Sequence, residues 1–196
     1  MHYDFIEVGT SDFKTCIEKA NTDTVGISIE PVKYYLDRLP NKDNVIKLNI
    51  GISNDIKKKS KVYYLEPEQL KKFNLPEHLR GCNSVGEIHP AIPTRCRSEV
   101  KSQEIELVPL GDVFEEYNVS SVNLLKLDTE GMDCEILIKF YNYIVLKNKT
   151  NWPKEIFFES NDLANKKLLK IVYKKYKDLG YNLTIFKYDS SLKLAI

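Results

Sequence analysis

Hydrophobic and polar positions follow two alternating patterns over the first fifty residues of the chain. Residues 4–8, 25–30 and 45–53 are short apolar runs rich in strand-forming side chains, which predicts three strands. Between these runs, apolar residues recur every three to four positions, which predicts helices, the first of them capped by Thr10 or Ser11. Strands separated by helices indicate right-handed crossovers and a parallel sheet that is covered on both faces.

The middle of the chain interrupts this pattern before it resumes. Five of the eight prolines fall within residues 67–109, so we predict an irregular excursion at about 54–103. Beyond it we predict strands at 104–108, 123–128 and 155–160, helices at 112–117, 132–146 and 168–179, and a closing hairpin at 183–187 and 192–196. The predicted fold class is α/β, a doubly wound, mostly parallel sheet with an antiparallel C-terminal hairpin, in one domain spanning residues 1–196.

Composition and charge exclude several classes of protein. With 42% hydrophobic residues in 196, the chain can bury a full core without a disulfide or a metal ion. Its 29 basic and 28 acidic side chains nearly cancel, which argues against dedicated nucleic-acid binding. No apolar run approaches the roughly 18–20 residues of a membrane span, and the start lacks a signal-peptide pattern, so we expect a cytoplasmic, intracellular protein. The four cysteines form no C-x-x-C pair and so indicate no zinc site.

Acidic residues stand at the predicted ends of several strands, where an open parallel sheet forms its ligand crevice. They are Glu7, Glu30, Asp128 with Glu130, and Glu159. Glu30 follows Glu7 by 23 residues, close to the roughly 20-residue spacing at which a carboxylate accepts the hydroxyl protons of a ribose. On this pattern alone, the interpretation that these residues are ordinary solvated strand ends stays open.

The loop after the first strand narrows the choice of nucleoside ligand. It holds Gly9 alone where a dinucleotide-binding loop has three glycines, so a nicotinamide-dependent oxidoreductase is a disfavoured alternative. A ligand without phosphates needs only one glycine for close backbone approach, together with a helix N-terminus and an acidic side chain for a zwitterionic tail. S-adenosylmethionine combines an adenosine with such an amino-acid tail.

One motif gives a more specific match. Residues 125–137, LKLDTEGMDCEIL, resemble the K-x-D-x-E-G-x-E signature of the FkbM-like methyltransferase family. The positions in register are Lys126, Asp128, Glu130 and Gly131. The segments FIEVGT, SIEP and FFES match the same family in the same order, so the resemblance spans roughly residues 4–160. It implies a class I methyltransferase fold and an S-adenosylmethionine-dependent O-methyltransferase that acts on a hydroxyl of a glycan or small molecule.

The resemblance also assigns individual positions of this sequence to the donor and to the reaction. It implies that the amino-acid tail of the donor is bound by Glu7, Gly9 and Thr10. It further implies that Glu30 binds the ribose of the donor and that Ser53 lies near its adenine. Asp128 and Glu130 would then border the transferred methyl group. Phe13 stands where the family usually has a glycine, and a bulky ring there narrows the donor pocket. A methyltransferase-shaped binding protein without turnover is therefore kept as an alternative.

The acceptor side of the site is marked by scattered residues. Methyl transfer needs alignment of donor and acceptor and removal of the hydroxyl proton, for which either carboxylate of the motif is the candidate base. His89 and Arg95 of the excursion, with Glu159, are candidate acceptor contacts, and solvated loop charges are the competing interpretation of the basic residues. A rival hypothesis places Mg²⁺ on Asp128, Glu159 and Asn161, although we expect no metal. The sequence does not indicate an oligomeric state.

Overall fold

The computed structural model describes residues 1–12, 14–54, 56–162 and 164–195. Within these ranges the strands are β1 (His2–Val8), β2 (Gly26–Ile29), β3 (Val45–Leu48), β4 (Gly51–Ser53), β5 (Lys58–Tyr64), β6 (Ser84–Val85), β7 (Lys101–Pro109), β8 (Ser121–Leu127), β9 (Pro153–Glu159), β10 (Tyr181–Ile185) and β11 (Asp189–Leu194). The helices are α1 (Cys16–Lys19), α2 (Lys33–Arg38), α3 (Pro67–Lys72), α4 (Leu110–Glu116), α5 (Asp133–Ile144) and α6 (Lys166–Asp178). Short 3-10 helices span Glu77–Arg80, Thr94–Glu99 and Lys149–Asn151. None of the helices in these ranges has the length and apolar character needed to cross a lipid bilayer.

Seven strands form the main sheet, in the order β10–β11–β9–β8–β1–β2–β3. The strands from β9 to β3 are parallel, and β11 and β10 extend the sheet in antiparallel orientation. The predicted mostly parallel sheet with an antiparallel C-terminal hairpin is therefore confirmed. Strand order reverses at β1, whose last residue, Val8, pairs with Ile29 of β2 and with Leu127 of β8. A ligand crevice is expected beyond the carboxyl ends of the strands at this point.

Helices α5 and α6 pack together in the largest hydrophobic core. Apolar residues of α5 recur with helical spacing, so Ile136, Leu137 and Phe140 are all buried. Val172 and Tyr176 of α6 are buried in the same core. The Tyr176 hydroxyl donates a hydrogen bond to the Leu137 carbonyl at 3.0 Å, which joins the two helices. Each such buried side chain contributes about 1.5–3 kcal/mol of apolar burial, so this core holds the strand ends in fixed positions.

Strands β5 and β6 of the excursion join β4 and β7 in a second sheet of four strands, in the order β4–β7–β5–β6. The prediction of an irregular segment at about 54–103 is therefore wrong where β5, α3 and β6 lie. Strand β5 is hard to recognise in the sequence because it contains three exposed lysines, Lys58, Lys59 and Lys61. Its Val62 is buried. A solvated lysine cluster and the exposed face of a short strand have the same local sequence, so periodicity alone did not separate them.

The predicted strand at 45–53 is divided between the two sheets. Its first part is β3 of the main sheet, and its last part is β4, which pairs with β7. Asn49 lies at the break, and its side-chain amide donates hydrogen bonds to the carbonyls of Glu30 at 2.9 Å and Pro31 at 2.8 Å. The side chain thus replaces ladder hydrogen bonds where the chain leaves the main sheet.

The first helix begins later than predicted. Thr15 caps α1 at Cys16, so Thr10 and Ser11 are not the cap. The Thr15 backbone N–H donates to the Glu18 carboxylate at 2.9 Å, and the Thr15 hydroxyl oxygen accepts from the Glu18 N–H at 3.4 Å, which forms a capping box. Thr10 and Ser11 consequently belong to the loop after β1, at the crevice.

Candidate active site

A cavity of about 720 Å³, counted with its open mouth, lies at the carboxyl ends of β1, β2 and β8. Its polar lining consists of Thr10, Ser11, Glu30, Asn83, Lys126, Asp128, Thr129 and Glu130. Its apolar lining includes Val8, Pro31, Ile52, Val62, Val85 and Met132. The structure therefore brings five predicted site residues to one cavity, namely Gly9, Thr10, Glu30, Asp128 and Glu130.

Glu30 ends β2 with its carboxylate fully buried and hydrogen-bonded to backbone. Its Oε2 accepts from the Ser11 N–H at 2.7 Å, and its Oε1 accepts from the Val32 N–H at 2.8 Å. Burial raises the pKa of Glu30 to about 7, although these two N–H donors act in the opposite direction. Each carboxylate oxygen keeps a second acceptor position, so Glu30 remains able to accept a hydrogen bond from a ligand hydroxyl.

Gly9 is required by the fold itself. Its φ is +77°, and an added Cβ would lie 1.8 Å from the Asp128 carbonyl oxygen. The single glycine therefore permits a close approach between the ends of β1 and β8. The sequence interpretation attributed this glycine to the approach of a ligand, and the structure gives a different physical reason at the same place.

Glu7 does not line the cavity but pairs with Lys126, which does. Glu7 is fully buried, its Oε2 accepts from the Cys16 N–H at 2.7 Å, and its Oε1 lies 2.7 Å from Lys126 Nζ. Burial by itself would lower the pKa of Lys126, but the Glu7 carboxylate outweighs that effect and the pKa is raised. Lys126 lines the cavity and Glu7 does not. The predicted contact between Glu7 and the amino-acid tail therefore stays a prediction without geometric support.

Carboxylates crowd together where β8 and β9 end. Burial raises the pKa of Asp128 to about 6, and Asp133 raises it further. Burial likewise raises the pKa of Glu130 to about 8 and that of Glu159 to about 7, with added repulsion from neighbouring carboxylates. The Asp128 side chain is open to the cavity. Protein atoms surround that cavity, so the Asp128 carboxylate has less contact with bulk water than an aspartate on an open surface. At neutral pH, Asp128 is therefore the most fully ionised of Asp128, Glu130 and Glu159.

Asp133, the first residue of α5, holds the loop between β8 and α5 in shape. Its buried carboxylate accepts from the Thr129 hydroxyl and, at 2.9 Å each, from the backbone N–H groups of Thr129 and Glu159. Glu130 and Gly131 have positive φ angles of +54° and +104°, so the chain turns sharply within this loop. Asp133 thus ties the loop of the motif to the end of β9.

The structure brings two of the three predicted acceptor contacts to the acidic region. His89 is buried, and its Nε2 lies 3.4 Å from the Glu130 carboxylate. Glu159 lies close enough to raise the pKa of Glu130. Arg95 is exposed and donates a hydrogen bond to the Phe73 carbonyl at 3.4 Å, and it is absent from the lining of the cavity. A role for Arg95 in acceptor binding stays a prediction without geometric support.

Other predicted positions lie beside the cavity or outside the described residues. Ser53 is buried, and its neighbour Ile52 lines the cavity in its place. The Asn161 amide donates a hydrogen bond to Glu159, and the proposal that both bind Mg²⁺ stays a hypothesis. Phe13 lies outside the described residues, so the narrowing of the pocket by its ring stays a prediction.

Sequence reasoning gave no role to three residues that line the cavity. Lys126 is in register with the family motif, and that register was the available sequence signal. Ser11 Oγ and Asn83 Oδ1 are buried and have no hydrogen-bond partner within the described part of the chain. Buried polar atoms without partners indicate that something polar belongs in the cavity. No sequence pattern marks Ser11 or Asn83, because only the fold brings them to the site.

These features define the class of protein. A mostly parallel sheet with a C-terminal antiparallel hairpin, and a cavity at its switch point with an acidic residue at the end of β2, form a class I methyltransferase fold. The profile of the methyltransferase FkbM domain matches residues 7–183, and the chain belongs to this methyltransferase family. The resemblance stated from the motif is therefore confirmed. No curated protein sequence matches the chain.

Proposed function

We propose that this protein is an S-adenosylmethionine-dependent O-methyltransferase that methylates a hydroxyl of a glycan or small molecule. The observation that carries the proposal is the convergence of Glu30, Lys126 and Asp128 on one cavity in a methyltransferase-family fold. These groups supply an acceptor for hydroxyl protons, a cation and a base. A nucleoside with an amino-acid tail needs the first two, and an attacking hydroxyl needs the third.

The lining of the cavity fits this donor. The free acceptor positions of Glu30 suit the two ribose hydroxyls, and the Lys126 ammonium suits the carboxylate of the amino-acid tail. Pro31 and Ile52 supply apolar surface for the adenine. The Ser11 hydroxyl, which lacks a partner among the described residues, adds a polar contact beside Glu30.

The reaction requires alignment and proton removal more than covalent chemistry. When bound, the donor supplies an electrophilic methyl group on a sulfonium centre. Asp128 is open to the cavity and accepts the proton of the attacking hydroxyl. Its raised pKa of about 6 leaves it mostly ionised at neutral pH while making it a stronger base than an ordinary aspartate. Glu130, with a pKa of about 8, is mostly protonated at that pH and is the weaker candidate for the base.

Calorimetric titration tests the donor class. We expect S-adenosylmethionine and S-adenosylhomocysteine to bind at one site per chain, and NAD to bind more weakly because the loop after β1 offers a single glycine. Screening of glycans and hydroxylated metabolites for uptake of a labelled methyl group then identifies the acceptor. Tighter binding of NAD than of S-adenosylmethionine would overturn the proposal in favour of an oxidoreductase. Donor binding without methyl uptake across the screen would favour the binding-protein alternative.

A further inference from the structure

A cysteine, a histidine and a glutamate meet beside the cavity although no sequence spacing connects them. Cys82 follows the 3-10 helix Glu77–Arg80, His89 lies in the loop after β6, and Glu130 lies in the loop between β8 and α5. The ligand-type atoms of the three side chains all lie within 4.8 Å of one another. Within this cluster, His89 Nε2 lies 3.4 Å from the Glu130 carboxylate.

The cysteine and the histidine of this cluster are buried and short of hydrogen-bond partners. Cys82 is 8% exposed and His89 is 3% exposed. Across residues 1–12, 14–54, 56–162 and 164–195, His89 Nε2 and the neighbouring Glu159 Oε2 have no hydrogen-bond partner. The Cys82 thiol makes a long contact of 4.0 Å to the His78 carbonyl. Buried polar atoms without partners are rare in folded proteins, so a further group is expected in contact with His89 Nε2.

The surrounding charge favours a cation as that group. Glu130 lies beside two further acidic side chains, Glu159 and Asp128, at the ends of β8 and β9, so carboxyl groups are concentrated at this point. Lys126, a cation that lines the cavity, is already paired with Glu7 at 2.7 Å. A bound divalent cation would replace repulsion among the carboxylates by attraction.

We propose that Cys82, His89 and Glu130 form a zinc-binding site. A thiolate sulfur, an imidazole nitrogen and a carboxylate oxygen are the ligands that Zn²⁺ takes in proteins, whereas Mg²⁺ and Ca²⁺ prefer oxygen ligands alone. Three protein ligands leave a fourth tetrahedral position for water or a substrate oxygen. Glu130 also lines the proposed donor and acceptor cavity, so the metal would adjoin the space that receives the acceptor hydroxyl.

Zinc binding changes the protonation state of all three ligand side chains. Burial, followed by the nearby Glu130 carboxylate, raises the pKa of Cys82 to about 12, so the metal-free protein carries a thiol. Binding forms a sulfur–zinc bond and an oxygen–zinc bond, breaks the S–H bond of Cys82 and the O–H bond of the protonated Glu130 carboxyl, and releases both protons to water. Zinc on His89 Nε2 leaves the ring proton on Nδ1, so the hydrogen bond that Nδ1 accepts from the Ala91 N–H at 3.2 Å must open. A local shift of the loop around residue 89 therefore accompanies binding.

Metal titrations of the chelator-treated full chain test this site. We expect one Zn²⁺ per chain, measured by competition with a coloured chelator, and a thiolate-to-metal charge-transfer band when Co²⁺ replaces zinc. Cys82→Ser and His89→Gln should each weaken zinc binding by more than the roughly 10–100-fold that the loss of an outer-shell partner costs. Cys82→Ser should also abolish the charge-transfer band, because serine supplies no sulfur.

Two matched variants control for general effects on the fold. Cys96 is another buried cysteine and His78 an exposed histidine of the same excursion, so Cys96→Ser and His78→Gln should keep the zinc affinity and the cobalt band. Circular dichroism of the metal-free variants establishes that each is folded. Absence of one-to-one binding, or equal loss of affinity in the control variants, would overturn the proposal. S-adenosylhomocysteine titration of the same samples is a separate readout, so the donor assignment and the zinc site can fail independently.

Discussion

Replacing Gly9 by alanine should destabilise the protein more than replacing Gly180, another glycine with a positive φ angle. The added Cβ would lie 1.8 Å from the Asp128 carbonyl oxygen, whereas real contacts of this kind stay beyond about 3.0 Å. Hydrogen bonds fix both sides of the contact, because the Asp128 N–H donates to the Val8 carbonyl at 3.0 Å and the Gly9 N–H to the Ile29 carbonyl at 2.9 Å. In the Gly9→Ala variant, the ends of β1 and β8 must therefore move apart where they border the cavity.

The expected loss in the free energy of unfolding of Gly9→Ala has two parts. The left-handed backbone at Gly9, with φ +77°, costs about 1–2 kcal/mol for a residue that has a Cβ. Forcing extra atoms against a fixed backbone typically adds about 1–3 kcal/mol. Gly180 has φ +93°, and its added Cβ would meet no described atom within 4 Å, so it carries only the first part. We expect a loss of about 2–5 kcal/mol for Gly9→Ala and about 1–2 kcal/mol for Gly180→Ala.

Urea unfolding of the wild-type protein and of both variants measures the difference in the free energy of unfolding. Gly9→Ala should also weaken S-adenosylhomocysteine binding, because the displaced carbonyl belongs to a residue that lines the cavity. Equal destabilisation by Gly9→Ala and Gly180→Ala would refute the reasoning. It would mean that the close approach of β1 and β8 does not constrain this position.

Three further predictions concern the polar residues of the cavity. Lys126→Met should lower the free energy of unfolding in urea by roughly 3–5 kcal/mol, because Glu7 is left as a buried charge without its cation. Adding Glu7→Gln to this variant should restore stability but leave S-adenosylhomocysteine binding weak. Recovered binding in the double variant would contradict a direct role for the Lys126 ammonium. Because the pKa of Glu30 is raised to about 7 and ribose hydroxyls favour its ionised form, calorimetric affinity for S-adenosylhomocysteine should rise by up to about tenfold from pH 6 to pH 8. The same profile in Glu30→Gln should be flat, and an identical slope in both proteins would exclude Glu30 as its origin. Asp128→Asn should abolish methyl uptake by an acceptor while changing donor affinity little, and retained turnover would exclude Asp128 as the base.

The acidic strand ends could be predicted because strand boundaries are marked by a change in the hydrophobic pattern. Glu30 and Asp128 each follow an apolar run, and the carboxyl ends of parallel strands meet at one edge of a sheet. The partnership of Glu7 with Lys126 could not be read in the same way, since 119 positions separate them. It exists because β1 and β8 pair in parallel with exactly these two residues in register.

The excursion was harder to predict for two physical reasons. In β5, three lysines occupy exposed positions, and a short strand with one exposed face shows too few residues for its period to stand out. Cys82, His89 and Glu130 come from separate loops, so their juxtaposition depends on how the second sheet packs against the main one. Sequence spacing detects metal ligands reliably only where the ligands share one local motif.

The measurement that tests the central claim most directly compares S-adenosylhomocysteine binding by the wild-type protein, Glu30→Ala and Glu116→Ala. Charge-assisted hydrogen bonds contribute about 1.5–3 kcal/mol, so Glu30→Ala should weaken binding by roughly 10–100-fold. Glu116 is an exposed residue at the end of α4, and its replacement should leave the affinity unchanged. Circular dichroism checks that each variant is folded. A folded Glu30→Ala variant that binds S-adenosylhomocysteine as tightly as the wild-type protein would contradict the account.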